Sequence, residues 1–211
     1  MKAAPDAPLI FASADQGEEL QRAELYGLLA SLWLAPPDTA LFQQFRVAVT
    51  QAPQSGGTLE AAWQTLVAAM RGSSVEAAAE EYGALFLGVG KPEVFLYGSY
   101  YLSGFLNEQP LARLRDHLDQ LGLTRDASRG ETEDHVSYAF EVMRYLIAGD
   151  DAAVCNLEQQ RRFFRAQVQT WVEALCEVVQ THPRAVVWAA VAELTRQFVH
   201  VETQAFDLLE A

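Results

Sequence analysis

The sequence predicts an all-α protein, a single-domain bundle of about eight to ten helices. Two observations carry this. Apolar residues recur at three- and four-residue spacing along most of the chain. Proline, glycine and capping residues punctuate those stripes, and no alternating strand pattern of useful length and no internal repeat interrupts them. A chain of 211 residues is long enough to bury a substantial core.

Residues 1–16 read as a flexible N-terminal tail, and residues 17–211 as the helical domain. From Glu18 to Trp33, Leu25, Leu28, Leu29 and Leu32 make a helical stripe that Pro36-Pro37 ends. Asp38 is placed to cap a short helix with Leu41, Phe42 and Phe45. After the loop 52–58, Leu59, Ala62, Trp63, Leu66 and Met70 form a third stripe. Ser73 and Glu76 read as a capping box for a helix whose buried face is Val75, Ala78, Tyr82, Leu85 and Phe86. Gly88, Gly90 and Pro92 stop that helix.

Ser99 is placed to cap a helix from about Tyr100. Leu111, Leu114, Leu118 and Leu121 mark a helix closed by Gly122. Beyond the polar loop 124–130, Thr132 reads as an N-cap, with Glu133, Asp134 and His135 in the first turn and Val136, Ala139, Phe140, Met143 and Ile147 behind them. Leu157 to Val179 predicts one or two helices. Pro183 suits the first turn of a last helix carrying Val187, Val191, Leu194, Phe198 and Val201.

The net charge is −13, which disfavours nucleic acid and anionic membranes and favours basic partners. No apolar run approaches the roughly 20 residues of a membrane helix, and no secretory signal is evident, so a cytoplasmic protein is expected. Cys155 and Cys176 read as core thiols. GVGK at 88–91 is no phosphate loop, because Leu85 and Pro92 stand where its first glycine and its hydroxyl belong. No histidine follows an acid by three residues, no zinc spacing occurs and no GxSxG elbow is present. The expectation is a binding protein, with no enzyme activity, metal or cofactor.

Two stretches stand out. Residues 82–105, YGALFLGVGKPEVFLYGSYYLSGF, concentrate tyrosine, phenylalanine and glycine. The broken connection before Tyr97, Tyr100 and Tyr101 cannot be regular helix, and such aromatics suit surfaces half apolar and half wet. In GETEDHVSYAFEVM (130–143), Glu131, Glu133, Asp134 and His135 would form a receptor for a cation such as arginine, or simply complement a helix dipole.

Together these stretches resemble the TorD/DmsD family of cytoplasmic chaperones for molybdenum enzymes, relatives of the nitrate-reductase assembly protein NarJ. The first family motif is matched by Tyr82, Leu85, Phe86 and then Leu96-Tyr97-Gly98-Ser99-Tyr100-Tyr101, the second by Glu131-Thr132-Glu133-Asp134-His135. Leu96 and Thr132 stand where the motifs carry proline. The resemblance implies an all-helical chaperone that binds the apo catalytic subunit of a molybdopterin oxidoreductase, its twin-arginine signal peptide, or both. It assists cofactor insertion and proofreads export, with a formate dehydrogenase as one candidate client. Tyr82, Leu85, Phe86, Tyr97, Ser99 and Tyr101 would shape the apolar surface; Asp134 and His135, helped by Glu131 or Glu133, would form its polar end. A helical adaptor without leader binding is the alternative. Flexible loops such as 124–132 lead us to expect mostly monomer with some homodimer.

Overall fold

The computed structural model of the chain describes residues 17–48, 57–88, 90–126, 128 and 130–209. The expected tail 1–16 and most of the loop 52–58 lie outside the described residues. The protein is all-α. Among the described residues there are ten α-helices, one π-helical turn and no strand beyond a single isolated bridge. No helix of the described residues is long and apolar enough to cross a membrane. The backbone resolves into two compact units, 35–94 with 176–211 and 17–34 with 95–175.

The first unit holds α2 (Thr39–Val47), α3 (Thr58–Arg71), α4 (Val75–Tyr82) and α10 (Val187–Leu208). α10 packs along α3 and α4. Asp38 caps α2 as expected, accepting from the Leu41 N–H at 2.8 Å. The guanidinium of Arg71 closes the other end of α2, donating to the carbonyls of Phe45 and Ala48 at 3.3 and 2.7 Å. The cap of α4 is Ser74 rather than Ser73: Ser74 is the last extended residue, and its hydroxyl accepts from the Ala77 N–H.

The helix that was expected to run through Leu85 and Phe86 changes form instead. After Tyr82 the chain takes one π-helical turn, Gly83–Leu87. Gly88 ends it in the left-handed region, with φ +52°, and a Cβ there would lie 2.3 Å from the Lys91 carbonyl oxygen. Beyond Gly88 the chain returns, so that the Glu93 and Val94 N–H groups both donate to the Leu85 carbonyl. This is a helix terminus with a turn. Glu93 is held further by His182 and Arg184.

Pro183 lies in the turn before α10, not in its first helical turn, because α10 begins only at Val187. The N-terminus of α10 is capped from elsewhere in the sequence. The Glu81 carboxylate accepts from the N–H groups of Val186, Val187 and Trp188 at 2.9, 3.1 and 2.8 Å.

The second unit holds α1 (Glu18–Leu34), α5 (Gly98–Ser103), α6 (Gln109–Gln120), α7 (Val136–Ala148) and α8 (Leu157–Gln167). α1 and α7 pack along each other, with Tyr26 against Phe140 at 5.8 Å between ring centres, and α8 packs on α7. Between them a buried Gln160 accepts from Arg22 and donates to the Leu146 carbonyl at 3.2 Å. The segment 157–179 makes two helices, α8 and α9 (Val172–Gln180), separated by a turn at 168–171. Of the two cysteines only Cys176 is core. Cys155 is half-buried, with its thiol on the Tyr145 carbonyl.

Glu81 generates a stability prediction. Replacing Glu81 by Ala strands three amides at the start of the longest helix and is expected to cost about 1–3 kcal/mol in urea unfolding. Glu81→Gln keeps an acceptor and should lose less. An unchanged midpoint for Glu81→Ala would show that water satisfies α10 equally well.

Candidate functional site

The two sequence motifs of the second unit are laced into one knot. Residues 96–98 and 134–136 run antiparallel for one bridge, Tyr97 opposite His135. The Gly98 N–H donates to the Asp134 carbonyl at 2.8 Å and the Val136 N–H to the Leu96 carbonyl at 2.9 Å. Gly98 gives room at this crossing: a Cβ there would sit 3.0 Å from the indole ring of Trp171, which would have to shift by a few tenths of an ångström.

Asp134 tightens the knot. It is 5% exposed, and its carboxylate accepts from the Ser99 N–H at 2.9 Å and from the Thr132 hydroxyl at 2.6 Å. The first amides of α5 thus find their acceptor 35 residues away, so Ser99 is not the cap of α5 but a residue of its first turn. Ser99, 1% exposed, uses its hydroxyl to accept from the Asn107 N–H and its carbonyl to accept from the Ser103 hydroxyl. Thr132, which stands at a proline position of the resembled motif, supplies a hydroxyl that proline could not.

Thr132 is likewise not a helix cap. α7 starts at Val136, and its cap is His135, whose Nδ1 accepts from the Ser137 N–H at 3.2 Å. Residues 132–135 are held as a turn because their backbone pairs with 96–98 instead of winding into helix. With Nδ1 accepting, the ring proton sits on Nε2. His135 is 3% exposed, and burial pushes its pKa down to about 4, against the opposing pull of Glu131 and Asp134. The imidazole is neutral at physiological pH.

The remaining predicted residues fall into place around this knot. The Tyr97 hydroxyl makes a short hydrogen bond to the Glu131 carboxylate, and its ring meets His135 edge-on at 5.3 Å. Tyr101 stacks on Trp171 and donates its hydroxyl to the Phe95 carbonyl at 2.9 Å. Glu133 is not an open carboxylate either. Arg115 donates to its Oε2 through two nitrogens at 3.1 and 2.8 Å, and Arg125 lies 3.6 Å from its Oε1. Burial raises the Glu133 carboxyl, but those arginines outweigh it and hold the group below the usual carboxylate range.

Tyr82, Leu85 and Phe86 belong to the core of the first unit. Leu85 is fully buried, and Tyr82 and Phe86 pack edge-on against each other and against Trp188 at ring separations of 5.0 to 6.0 Å. The structure brings together Tyr97, Ser99, Tyr101, Glu131, Glu133, Asp134 and His135, all within the second unit.

Sequence reasoning missed a groove. An opening of about 560 Å³ in the second unit is bounded by the end of α1, the middle of α6, the segment 123–126, α7 and Phe163 of α8. Leu34, Leu114, Leu118 and Val142 give it an apolar floor, and Arg125, Glu133, Ser137, Tyr138 and Glu141 a polar side. Glu133 and Ser137 flank the knot in sequence, so the second motif builds one wall. No sequence signal marks the groove, because its lining comes from five separate segments. Among the described residues no group of three or more His, Cys, Asp or Glu side chains could hold a metal ion.

The depressed His135 predicts a pH signature. Its folded pKa of about 4 lies below the 6.5 of a free imidazole, so the unfolded chain takes up the proton first. The ring's contribution to stability is complete above pH 6.5 and is lost as pH falls towards 4, roughly 3 kcal/mol in all. His117 is shifted the same way by burial and by Arg162, so the contrast with His135→Asn isolates this ring. Urea midpoints at pH 7.5 and 4.5 should differ more for the parent than for the variant. Equal differences would mean that His135 charges freely in the fold.

Comparison with known proteins now has a geometry to refer to. The profile of the nitrate reductase delta subunit family matches residues 53–177, more than half of the chain and both motifs of the knot. A crystal structure from Archaeoglobus fulgidus, described as a proposed redox enzyme maturation protein, superposes with a TM-score of 0.53 at 18% identity, covering 92% of this chain and 99% of that one. That likeness shows the shared all-α fold. Among curated proteins none is significantly similar in sequence. The chain belongs to the nitrate reductase delta subunit family, the NarJ/TorD-type chaperones of redox enzyme maturation.

Proposed function

We propose that the protein is a cytoplasmic chaperone that holds the cofactor-free catalytic subunit of a molybdopterin oxidoreductase, together with its twin-arginine leader where the client has one. The groove of the second unit is the client-facing site. Its position carries the reading: it is open, has an apolar floor and a charged rim, and lies mostly within the family-matched stretch. A leader or a flexible client segment, basic with an apolar centre, complements that lining and the net charge of −13. A formate dehydrogenase is one candidate client. Such binding requires no covalent chemistry from the chain.

One observation favours a second reading, a maturation adaptor that grips the mature subunit and not the leader. Asp134 and His135 are buried and engaged inside the chain. Their part in client binding is to position the wall of the groove.

Pull-down of tagged protein from its host under limiting molybdate, with mass spectrometry of what is retained, tests both. The expected result is enrichment of a molybdopterin oxidoreductase subunit lacking cofactor, abolished by Val142→Asp in the groove at an unchanged melting temperature. Capture of the subunit with and without its leader separates the two readings. Absence of any such subunit, with parent and variant behaving alike, would remove the groove assignment.

A further inference from the structure

The groove contains its own cation. Glu133 faces it, and two arginines meet that carboxylate unequally. Arg115 stands on α6 and donates two hydrogen bonds to Oε2. Arg125 stands on the irregular segment after Gly122, lines the groove, and approaches Oε1 only to 3.6 Å, outside hydrogen-bond range. Its Nη1 donates to the Glu131 carbonyl at 3.2 Å. One oxygen of Glu133 is therefore saturated from a rigid helix. The other carries an ion pair without a hydrogen bond, supplied by a segment with no regular structure. The other charges at the groove are Asp126 and the Glu141–Arg144 pair, closed on itself at 2.7 Å.

We propose that Arg125 is a built-in competitor for the groove. It occupies Glu133 Oε1 in the free chain and is displaced by an arginine or lysine of the client segment, whose apolar neighbours settle on Leu34, Leu118 and Val142. This rests on the reading of the groove as the client site. The exchange is nearly balanced in charge, one cation leaving as another arrives. It sets a threshold: a purely apolar segment gains nothing from Glu133, and a single cation must outcompete a tethered one. A segment with a cation and an apolar run satisfies both halves of the site, which gives selectivity for basic–apolar clients at modest affinity. Arg115 stays in place throughout and keeps Glu133 ionised.

The probe is a synthetic fluorescent peptide with paired arginines ahead of a leucine- and alanine-rich run, beside a counterpart with glutamine for both arginines. Anisotropy titrations compare the parent with Arg125→Ala, Arg125→Gln and Glu133→Gln. Removing the competitor should tighten the arginine peptide about three- to tenfold, with the gain shrinking as salt is raised. The glutamine peptide should be indifferent to Arg125→Ala. Arg125→Ala made in the Glu133→Gln background should bring no gain over Glu133→Gln alone. Arg125→Gln guards against a fold defect in the alanine variant and should behave like it. An unchanged or weakened arginine peptide in both Arg125 variants overturns the proposal, and so does absence of peptide binding to every variant. The second outcome leaves the chaperone reading to the pull-down, which reads capture of the whole subunit.

Discussion

The arrangement of the second unit depends on one buried carboxylate. Asp134 joins two segments that are far apart in sequence, and it does so at the start of both helices they lead into. Its side chain takes the Ser99 amide at the head of α5, and its carbonyl takes the Gly98 amide one residue earlier. Immediately after it, the backbone turns at His135 into α7. A carboxylate at a helix N-terminus is favoured by the unsatisfied amides and the helix dipole, and burial strengthens each of those bonds. The corollary is that Asp134 has little left to offer a ligand. An aspartate and histidine in a motif invite a reading as catalytic or ligand-gripping groups. Here the same two residues set where α5 and α7 begin.

That constraint explains which features were legible in the sequence. The stripes of α1, α3 and α10 depend only on a helix burying one face, and their spacing gave them away. Asp38 was legible as a cap because it serves amides within its own segment. Ser73 misses the cap of α4 by a single residue, since Ser74 caps locally, whereas Ser99 and Thr132 fail as caps for a different reason. Local preference nominates a hydroxyl residue near the right place, but the exact start of a helix is set by what the backbone pairs with. At α5 that partner is Asp134, 35 residues away; at α7 it is the Leu96 carbonyl, which takes the Val136 N–H; at α10 it is Glu81, more than a hundred residues back. Long-range partners leave no periodic trace. The groove was invisible on the same grounds, since its lining is gathered from segments far apart in the sequence, from α1 to Phe163 of α8.

The aromatic-rich stretch divides along its length. Its first part, Tyr82 to Phe86, supplies core to the first unit, where a π-helical turn replaces the continuation of α4. Its second part, Phe95 to Tyr101, supplies the knot. Gly98 lets Trp171 approach the crossing, and Tyr101 then stacks on that indole. Two of the glycines in the stretch meet close approaches, Gly88 at the Lys91 carbonyl and Gly98 at Trp171, and Gly90 and Gly104 take left-handed backbone with φ +96° and +83°. The tyrosines follow from rings that need an apolar face and hydroxyls that need an acceptor, the Glu131 carboxylate for Tyr97 and the Phe95 carbonyl for Tyr101.

The charge of the protein reads differently at the two scales. Over the whole chain the excess of 28 acids over 15 bases favours basic partners at a distance. At the knot, each acid singled out by the sequence already has a partner: hydrogen bonds from Ser99 and Thr132 for Asp134, from Tyr97 for Glu131 and from Arg115 for Glu133, whose other oxygen forms an ion pair with Arg125. Local compensation is what a stable fold requires of half-buried carboxylates, because an unpaired one would protonate or drag water inward. A binding site built from such groups therefore works by exchange and not by vacancy. A client must replace a donor that is already there, and the most replaceable donor is the one on the least regular segment with the longest contact. On the proposed reading of the groove the group to be replaced is Arg125, and the segment 123–126, rather than the conspicuous motif beside it, is where discrimination between clients would be written.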